Sequence, residues 1–402
     1  MAALYNAPPG TPSSVGSQFN THYWDRKSLI DAAEQMFFSP LADVRSMPMH
    51  MGKELKVYYY VPLLDDRNIN DQGLDADGVT YAGGNMYGSS TDVGTISARM
   101  PTMTEEGGRV NRVGFTRIER SGTLQEHGFF MEFTEDSLTF DTDSDLYGHM
   151  SREMVAGANE ITEDLLQIDL LSAAGTVVYT GIATQDSEIT GEGADPSVVT
   201  YSDLKKLSIT LDDNRTPKKT KIIKGSRMTD TATINAARIL YIGSELQTTV
   251  ENMTQTIGSG ANTLTVSAFQ PVRKYADAAQ IMNGEIGTVG DFRIVVVPNM
   301  MKWAGAGDDV TTNPGFAETG SKYDIFPMLV VGDESFATVG LQNSGKKGSK
   351  QKFKIIMKKP GEAMATVHDP FGKVGFTSIT FNHGFISLRP ERIGLVKTVA
   401  PE

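Results

Sequence analysis

Between residues 144 and 172, Leu146, Met150, Met154, Ala158, Ile161, Leu165 and Ile168 recur at intervals of three or four, the apolar stripe of an amphipathic helix. At 1.5 Å per residue the segment extends about 43 Å. Each large side chain buried along the stripe contributes roughly 1.5–3 kcal/mol, so a chain with this helix can build a lobe around it. The opposite face carries Glu153, Glu160, Glu163 and Asp164. Ile161→Asp is then expected to abolish the folded subunit, because it buries an unpaired charge.

Strand patterning accounts for much of the remainder. Residues 53–61 alternate Leu55, Val57, Tyr59 and Val61 with Lys56, Tyr58 and Tyr60, and Pro62 ends the run. The next strand-like segment, 110–118, follows an Asp- and Gly-rich excursion of about fifty residues, far beyond the 12–15 that a compact domain ordinarily leaves irregular. Such an excursion points to a segment ordered by a neighbour. Residues 269–303, FQPVRKYADAAQIMNGEIGTVGDFRIVVVPNMMKW, predict a helix over 273–282 with Tyr275, Ala278, Ala279 and Met282 on one face. Gly284 and Gly287 then break the chain, and a β-branched strand over 294–297 stops at Pro298. Further helices are expected near 202–211 and 246–253, with a strand near 221–223. In the strand-rich C-terminal part, Phe376, Ile379 and Phe381 precede a return strand through 385–388.

The N-terminal 24 residues contain no Asp, Glu, Lys or Arg, while Pro8, Pro9, Gly10, Pro12 and Gly16 oppose regular structure. They read as an arm. Its anchor is a short helix opened by Ser28 with Asp31 in capping-box spacing, lined by Leu29, Ala33, Met36 and Phe37, and ended before Pro40.

At 402 residues the chain exceeds the size at which one core keeps growing, so two lobes or domains are expected. A net charge of −12 argues against wholesale gripping of nucleic acid. The absence of cysteine excludes disulfides and thiolate metal sites, leaving packing and neighbouring subunits to supply stability. No apolar run reaches the roughly 18 residues of a membrane span, and no basic start marks a signal peptide, so no membrane partner is expected.

Motifs for chemistry fail on inspection. Residues 340–347, GLQNSGKK, match a phosphate-cradling loop except at the last position, where Lys347 replaces the magnesium-binding Ser or Thr. A strand-like segment follows instead of the helix whose N-terminus would hold phosphate. Asp141, Asp143 and Asp145 open like a calcium loop, but Leu146 stands where glycine is required and Arg152 where the bidentate glutamate belongs. Histidines 22, 50, 127, 149, 368 and 383 include no pair at zinc-helix spacing. His368 and Asp369 read as part of an Asp-Pro turn. No catalytic residue, cofactor or metal site is assigned, and the chain is expected not to be an enzyme.

Lys346, Lys347, Lys350, Lys352, Lys354, Lys358 and Lys359 form a basic run uninterrupted by any acid. Three readings stand: a solvated strand edge protected by lysines, a partner for the acidic helix face of a neighbouring subunit, or phosphate contact with contained DNA. The candidate inter-subunit residues are Lys346, Lys347 and Lys350 against Glu153, Glu160 and Glu163.

The wording of the chain carries a resemblance. KYA, NGEIG, FRIVVVP and YDIFPMLVVGDESFATVGL (323–341) resemble, in this order, the major capsid proteins of N-four-like podoviruses. MPTMTEEGGRV (100–110) and GTLQEHGFFMEFTEDSLTF (122–140) upstream, with HDPFGKVGFTS (368–378) and GFISLRPERIGLV (384–396) downstream, extend the match over most of 100–397. The resemblance implies an α+β, Hong Kong 97-type capsid fold. Its parts would be an N-terminal arm with a short helix (1–52), an extended β-hairpin loop with lead-in strands (53–135), a peripheral domain with the spine helix (136–215 and 366–402) and an axial α/β domain (216–365). It further implies hexamers and pentamers of this chain tiling an icosahedral head in the virion. The head would be assembled in the host cytoplasm, with a portal and scaffolding or decoration proteins as partners, and would enclose double-stranded DNA without sequence-specific contacts. A nanocompartment shell of the same fold and a nucleotide-binding enzyme built on 340–347 remain as alternatives.

Overall fold

The computed structural model describes residues 36–47, 50, 52–62, 93, 115–140, 146–224, 230–235, 237–258, 263–274, 284–341, 353–361, 365 and 369–402. Along the chain come β1 (Asp43–Met47), β2 (Glu54–Tyr60), β3 (Arg117–Thr134), α1 (Glu135–Phe140), α2 (Leu146–Ala173), β4 (Thr176–Tyr179) and α3 (Tyr201–Asp213). The middle contributes β5 (Lys219–Lys224), β6 (Asp230–Asn235), β7 (Arg238–Gly243), α4 (Gln247–Glu251), β8 (Thr254–Ile257), β9 (Leu264–Ser267) and β10 (Phe269–Pro271). Next are β11 (Glu285–Val289), β12 (Phe292–Val297), β13 (Glu318–Thr319), β14 (Lys322–Tyr323), β15 (Phe326–Val331) and β16 (Phe336–Leu341). The last are β17 (Phe353–Lys358), β18 (Val374–Ser387) and β19 (Ile393–Thr398).

These elements divide into two compact units, the smaller including 129–160 and 355–379, the larger including 36–128, 161–354 and 380–402. The larger is organised by a seven-stranded sheet in the order β10-β11-β12-β7-β15-β19-β4. Alternate residues of its central strands feed two cores. Leu240, Ile242, Met328, Val330 and Val396 pack with Leu204, Leu207 and Leu211 of α3, while Ile239, Tyr241, Leu329, Val331 and Leu395 pack with Leu166 and Leu170 of α2. Strands buried on both faces read as near-continuous apolar runs; FPMLVV is one, and FRIVVV and RILYIG are broken only by the buried, paired Arg293 and Arg238. Helix α3 starts where the side chains of Thr200 and Asp203 form a capping box.

A second sheet follows the path β1-β16-β18-β3-β2, with β17 also pairing to β18. Met47, Leu55, Val57, Leu124, Ala337, Val339 and Ile386, drawn from all five strands of that path, share one core. A sheet whose first and last strands pack into a common interior is curled toward a barrel. Gly122 sits where it does because a Cβ would lie 2.3 Å from the Phe385 carbonyl oxygen.

The sequence expectations fare unevenly. The strand at 53–61 is β2, and it pairs antiparallel with β3 across the long excursion, from Glu54 opposite Thr123 to Tyr60 opposite Arg117. The helix expected at 144–172 is α2, but its stripe is corrected. Ile161 and Ile168 are 38% and 50% exposed, whereas Met150, Met154, Ala158, Leu166 and Leu170 are buried. Burial follows the i+4 row, which advances about 40° around the axis per step at 3.6 residues per turn, so a straight extrapolation from Ala158 selects the wrong face. Ile161→Asp therefore leaves its charge at the surface.

The proposed C-terminal turn between Phe381 and Phe385 is likewise absent. β18 runs unbroken through it, with His383 buried and Gly384 packed where a Cβ would meet the Val339 Cβ at 3.0 Å. Gly284 is the predicted break, at φ +76°. Gly287 lies inside β11, kept small by the Gln270 carbonyl 2.4 Å from where its Cβ would be. The expected arm at 1–24 and most of the short helix anchoring it, the helix core at 275–282, and Asp141, Asp143 and Asp145 lie outside the described residues.

Candidate interaction surfaces

The acidic residues singled out on α2 separate by environment. Glu153 and Glu160 are exposed. Glu163 is 7% exposed and already bonded within its own chain: its carboxylate accepts from the backbone N–H of Phe38, from the Ser39 N–H at 3.3 Å and from the Ser39 hydroxyl. It holds the 3₁₀ turn Ser39–Leu41 that leads into β1. Its place among surface contacts is thereby corrected to an internal anchor, because a carboxylate satisfied by three donors gains little from a partner's lysine. Of the lysine run, Lys346, Lys347 and Lys350 lie outside the described residues, while Lys354, Lys358 and Lys359 are exposed.

A surface that the sequence reading missed lies on β2 and the entry to β3. Tyr58, Tyr60 and Phe115 are 58%, 58% and 65% exposed. They form a chain of edge-to-face contacts, with centroids 5.9 Å apart for Tyr58 and Tyr60 and 5.5 Å for Tyr60 and Phe115. The Arg117 guanidinium lies 5.2 Å from the Tyr58 ring centroid. Tyr and Arg held in a rigid exposed cluster are the residue types that dominate protein–protein interfaces. Tyrosine at both parities of β2 was the available signal, since a strand with one solvated face rarely keeps two large aromatics on it.

Buried charges elsewhere brace the fold. Arg293 of β12 grips Glu285 of β11 through two bonds of 2.7 Å. Arg238 donates at 2.6 Å both to Asp212 Oδ1 and to the Thr216 carbonyl. Asp324, 1% exposed, accepts from Lys302 at 2.7 Å and from the Gly305 N–H at 2.8 Å. Burial pushes its carboxyl up, but Lys302, Gly305 and Thr319 outweigh burial and hold it below the usual carboxylate range. His383 pairs with Asp169 at 2.8 Å, and His127 stacks on Phe381.

No described group of three or more acidic residues and histidines is placed to hold a metal. Asp369, expected from the sequence in an Asp-Pro turn, accepts the Val374 N–H at 2.9 Å and closes a turn there. Gly340 and Leu341 finish β16, and the next described element is the strand β17. No described helix is long and apolar enough to cross a membrane.

Residues 118–344 match the family described as phage capsid protein. The chain is 52% identical over 398 residues to the major capsid protein of Pseudomonas phage KPP21, covering 98% of this chain and 97% of that one. Its fold is similar to the capsid of Ralstonia phage GP4, with a TM-score of 0.57 and 10% identity over 100% and 98% of the two chains. It is also similar to the capsid of cyanophage P-SCSP1u, with a TM-score of 0.52 and 15% identity over 98% and 96%. The fold is thus the mixed α+β, Hong Kong 97-type capsid fold, and the chain belongs to the phage capsid protein family.

Proposed function

We infer that this chain is the major capsid protein of a tailed double-stranded DNA bacteriophage, and that many copies assemble into its icosahedral shell. The observation that carries this reading is the 52% identity, over nearly the full length of both chains, to a protein of that name. The role is structural, and its chemistry is association. Exposed aromatics on β2 and exposed charges on α2 and β17 supply surface that gains stability only when a partner covers it.

The finer reading is an N-four-like podovirus shell built from hexamers and pentamers, with arm, extended loop, peripheral and axial parts as set out from the resemblance. In it, lysines 346, 347 and 350 of one copy meet Glu153 and Glu160 of the next. A contact between two different patches is head-to-tail, and repeated around an axis it closes a ring. The shell encloses the genome without gripping it, as the net charge of −12 favours, and it meets portal and scaffolding or decoration proteins during assembly in the host cytoplasm.

Negative-stain electron microscopy with sedimentation tests the assembly, using the protein expressed alone and with its genomic neighbours. Closed shells or capsomer rings are expected. A monodisperse monomer under both conditions overturns the reading. Reversal of Glu153 and Glu160 to Lys should block rings while leaving the subunit folded, and rescue by Lys346→Glu with Lys347→Glu would identify the pairing.

A further inference from the structure

Two histidines and a carboxylate meet in the larger unit where β3 and β18 pack on α2. His383, 8% exposed, reaches Asp169 Oδ2 through its Nε2 at 2.8 Å. The His127 ring stacks on Phe381 with centroids 5.8 Å apart and meets the His383 ring edge to face at 6.4 Å. Its Nε2 is buried and has no hydrogen-bond partner among the described residues. Asp169 is the α2 carboxylate at this contact, and the Phe353 ring of β17 abuts Phe381. The charged residues next in sequence, Glu126 beside His127 and Lys354 beside Phe353, are exposed. An imidazolium has two N–H donors to satisfy. At His383 one of them is taken by Asp169, whereas at His127 a charged ring would bury a donor without an acceptor, beside a second imidazole that acid also charges.

We propose that this cluster is an acid-released clamp, which holds β3 on α2 while His127 is neutral and lets the strand go once that ring is charged. β3 depends on the clamp locally. Its pairing with β2 ends at Thr123, followed by one bond from the Leu124 N–H to the Lys53 carbonyl, and of residues 125–128 His127 is the one that is not exposed. A half-buried ring needs only a short move to reach water, where both of its N–H groups are satisfied, so proton uptake favours the released strand. The hold is therefore complete above the range around about pH 6.5 in which an imidazole ordinarily gains its charge, and it weakens as pH falls through that range. His383 keeps its carboxylate partner, so α2 and β18 stay joined while β3 departs. β3 returns the chain from the excursion that follows β2, the segment whose length marks it as ordered by a neighbour, so the clamp makes the footing of that segment sensitive to acid.

Hydrogen exchange of the unassembled full-length subunit tests the clamp independently of assembly. Peptides covering 124–128 are compared at about pH 7.5 and about pH 5.5, with β7 and β15 as references for the intrinsic pH dependence of exchange. One proton taken up on release changes the equilibrium by up to about tenfold per pH unit, so 124–128 should lose on the order of tenfold in protection relative to the references. His127→Phe keeps a ring against Phe381 and cannot be charged, so its protection relative to the references should not change with pH. His383→Gln keeps a bond to Asp169 and removes the neighbouring charge, so the loss should move to lower pH. The same loss in His127→Phe, an onset unmoved by His383→Gln, or no loss in the unsubstituted subunit overturns the proposal. Where His127→Phe does not fold, the shift in His383→Gln decides.

Discussion

In the seven-stranded sheet, β7, β15 and β19 are buried at every position, whereas β2 of the curled sheet alternates between half-buried and exposed along its length. The first sheet has helices on both faces and finishes its core with residues of its own chain. Among the described residues the second has two unpaired edges, and it carries a row of solvent-facing aromatics. One region stores the stability of the subunit, and on the proposed reading the other holds surface for association. Substitutions in the first should therefore be read out in folding, and those in the second in assembly.

The sharpest break comes from Leu240→Asp. Leu240 is fully buried in β7, and an unpaired carboxylate there should cost on the order of 5 kcal/mol, comparable to the whole stability of a domain. Soluble yield and circular dichroism should both collapse. Arg293→Met comes next, since it strands Glu285 in a buried position and should cost about 3–5 kcal/mol. Adding Glu285→Leu should recover most of the loss, measured by urea unfolding of the unassembled subunit; a double variant no better than the single would show that the pair itself, not the stranded charge, carries the stability.

A smaller effect probes the link between the two regions. Glu163→Gln keeps the shape but weakens the charge-assisted bonds to Phe38 and Ser39, at about 1–3 kcal/mol for a buried group left partly unsatisfied. Hydrogen exchange should speed at the amides of Phe38 and Ser39 while β7 and β15 stay protected. Uniform loss of protection would mean that the turn belongs to the same cooperative unit as the sheet.

What was legible in the sequence follows the same division. The run FRIVVV announced its strand because burial on both faces favours apolar residues, Arg293 being admitted through its pairing with Glu285, and Pro298 marked a true end. The strand at 53–61 was legible from its alternation, but its partner was not placed: β3 begins at Arg117, at the far end of the segment 110–118 expected as the next strand. The rotation of burial along α2 was not legible, since it depends on which surfaces the helix meets after Ala158. Nor was the role of Glu163, a charged residue that pattern assigns to solvent and that tertiary donors draw inside. His383 and Gly384 imitate a turn, and only packing against Val339 and Leu124 explains why the strand continues. Surfaces made for other copies leave the faintest trace, because a single chain shows half of each contact.

Acid should test the larger unit more gently. The Asp324 carboxyl is held below its ordinary value, so it takes up protons more readily once unfolded, near pH 4. Its contribution is present above that pH and is lost as pH falls through the lower folded value. Asp324→Asn should flatten this part of the acid limb, seen as a smaller drop in Tm between pH 5 and pH 3 than in the unsubstituted subunit. An unchanged drop would assign the acid sensitivity elsewhere.

The smallest effect on the subunit should come from Tyr58→Ser with Tyr60→Ser. Both rings are 58% exposed and touch mainly each other, Phe115 and Arg117, so the unassembled protein should change by no more than about 0.5 kcal/mol. Assembly should respond strongly, because rigid aromatics are where interfaces concentrate their energy and truncating a hot-spot residue costs about 2 kcal/mol or more. In a shell that cost recurs at every copy, so the protein concentration needed for assembly should rise steeply. Sedimentation across a concentration series separates the two quantities. A variant with unchanged Tm and a raised assembly threshold sharpens the contrast between the self-sufficient sheet and the one kept open. A variant that loses Tm, or assembles as before, would return these tyrosines to the subunit's own core or to plain surface.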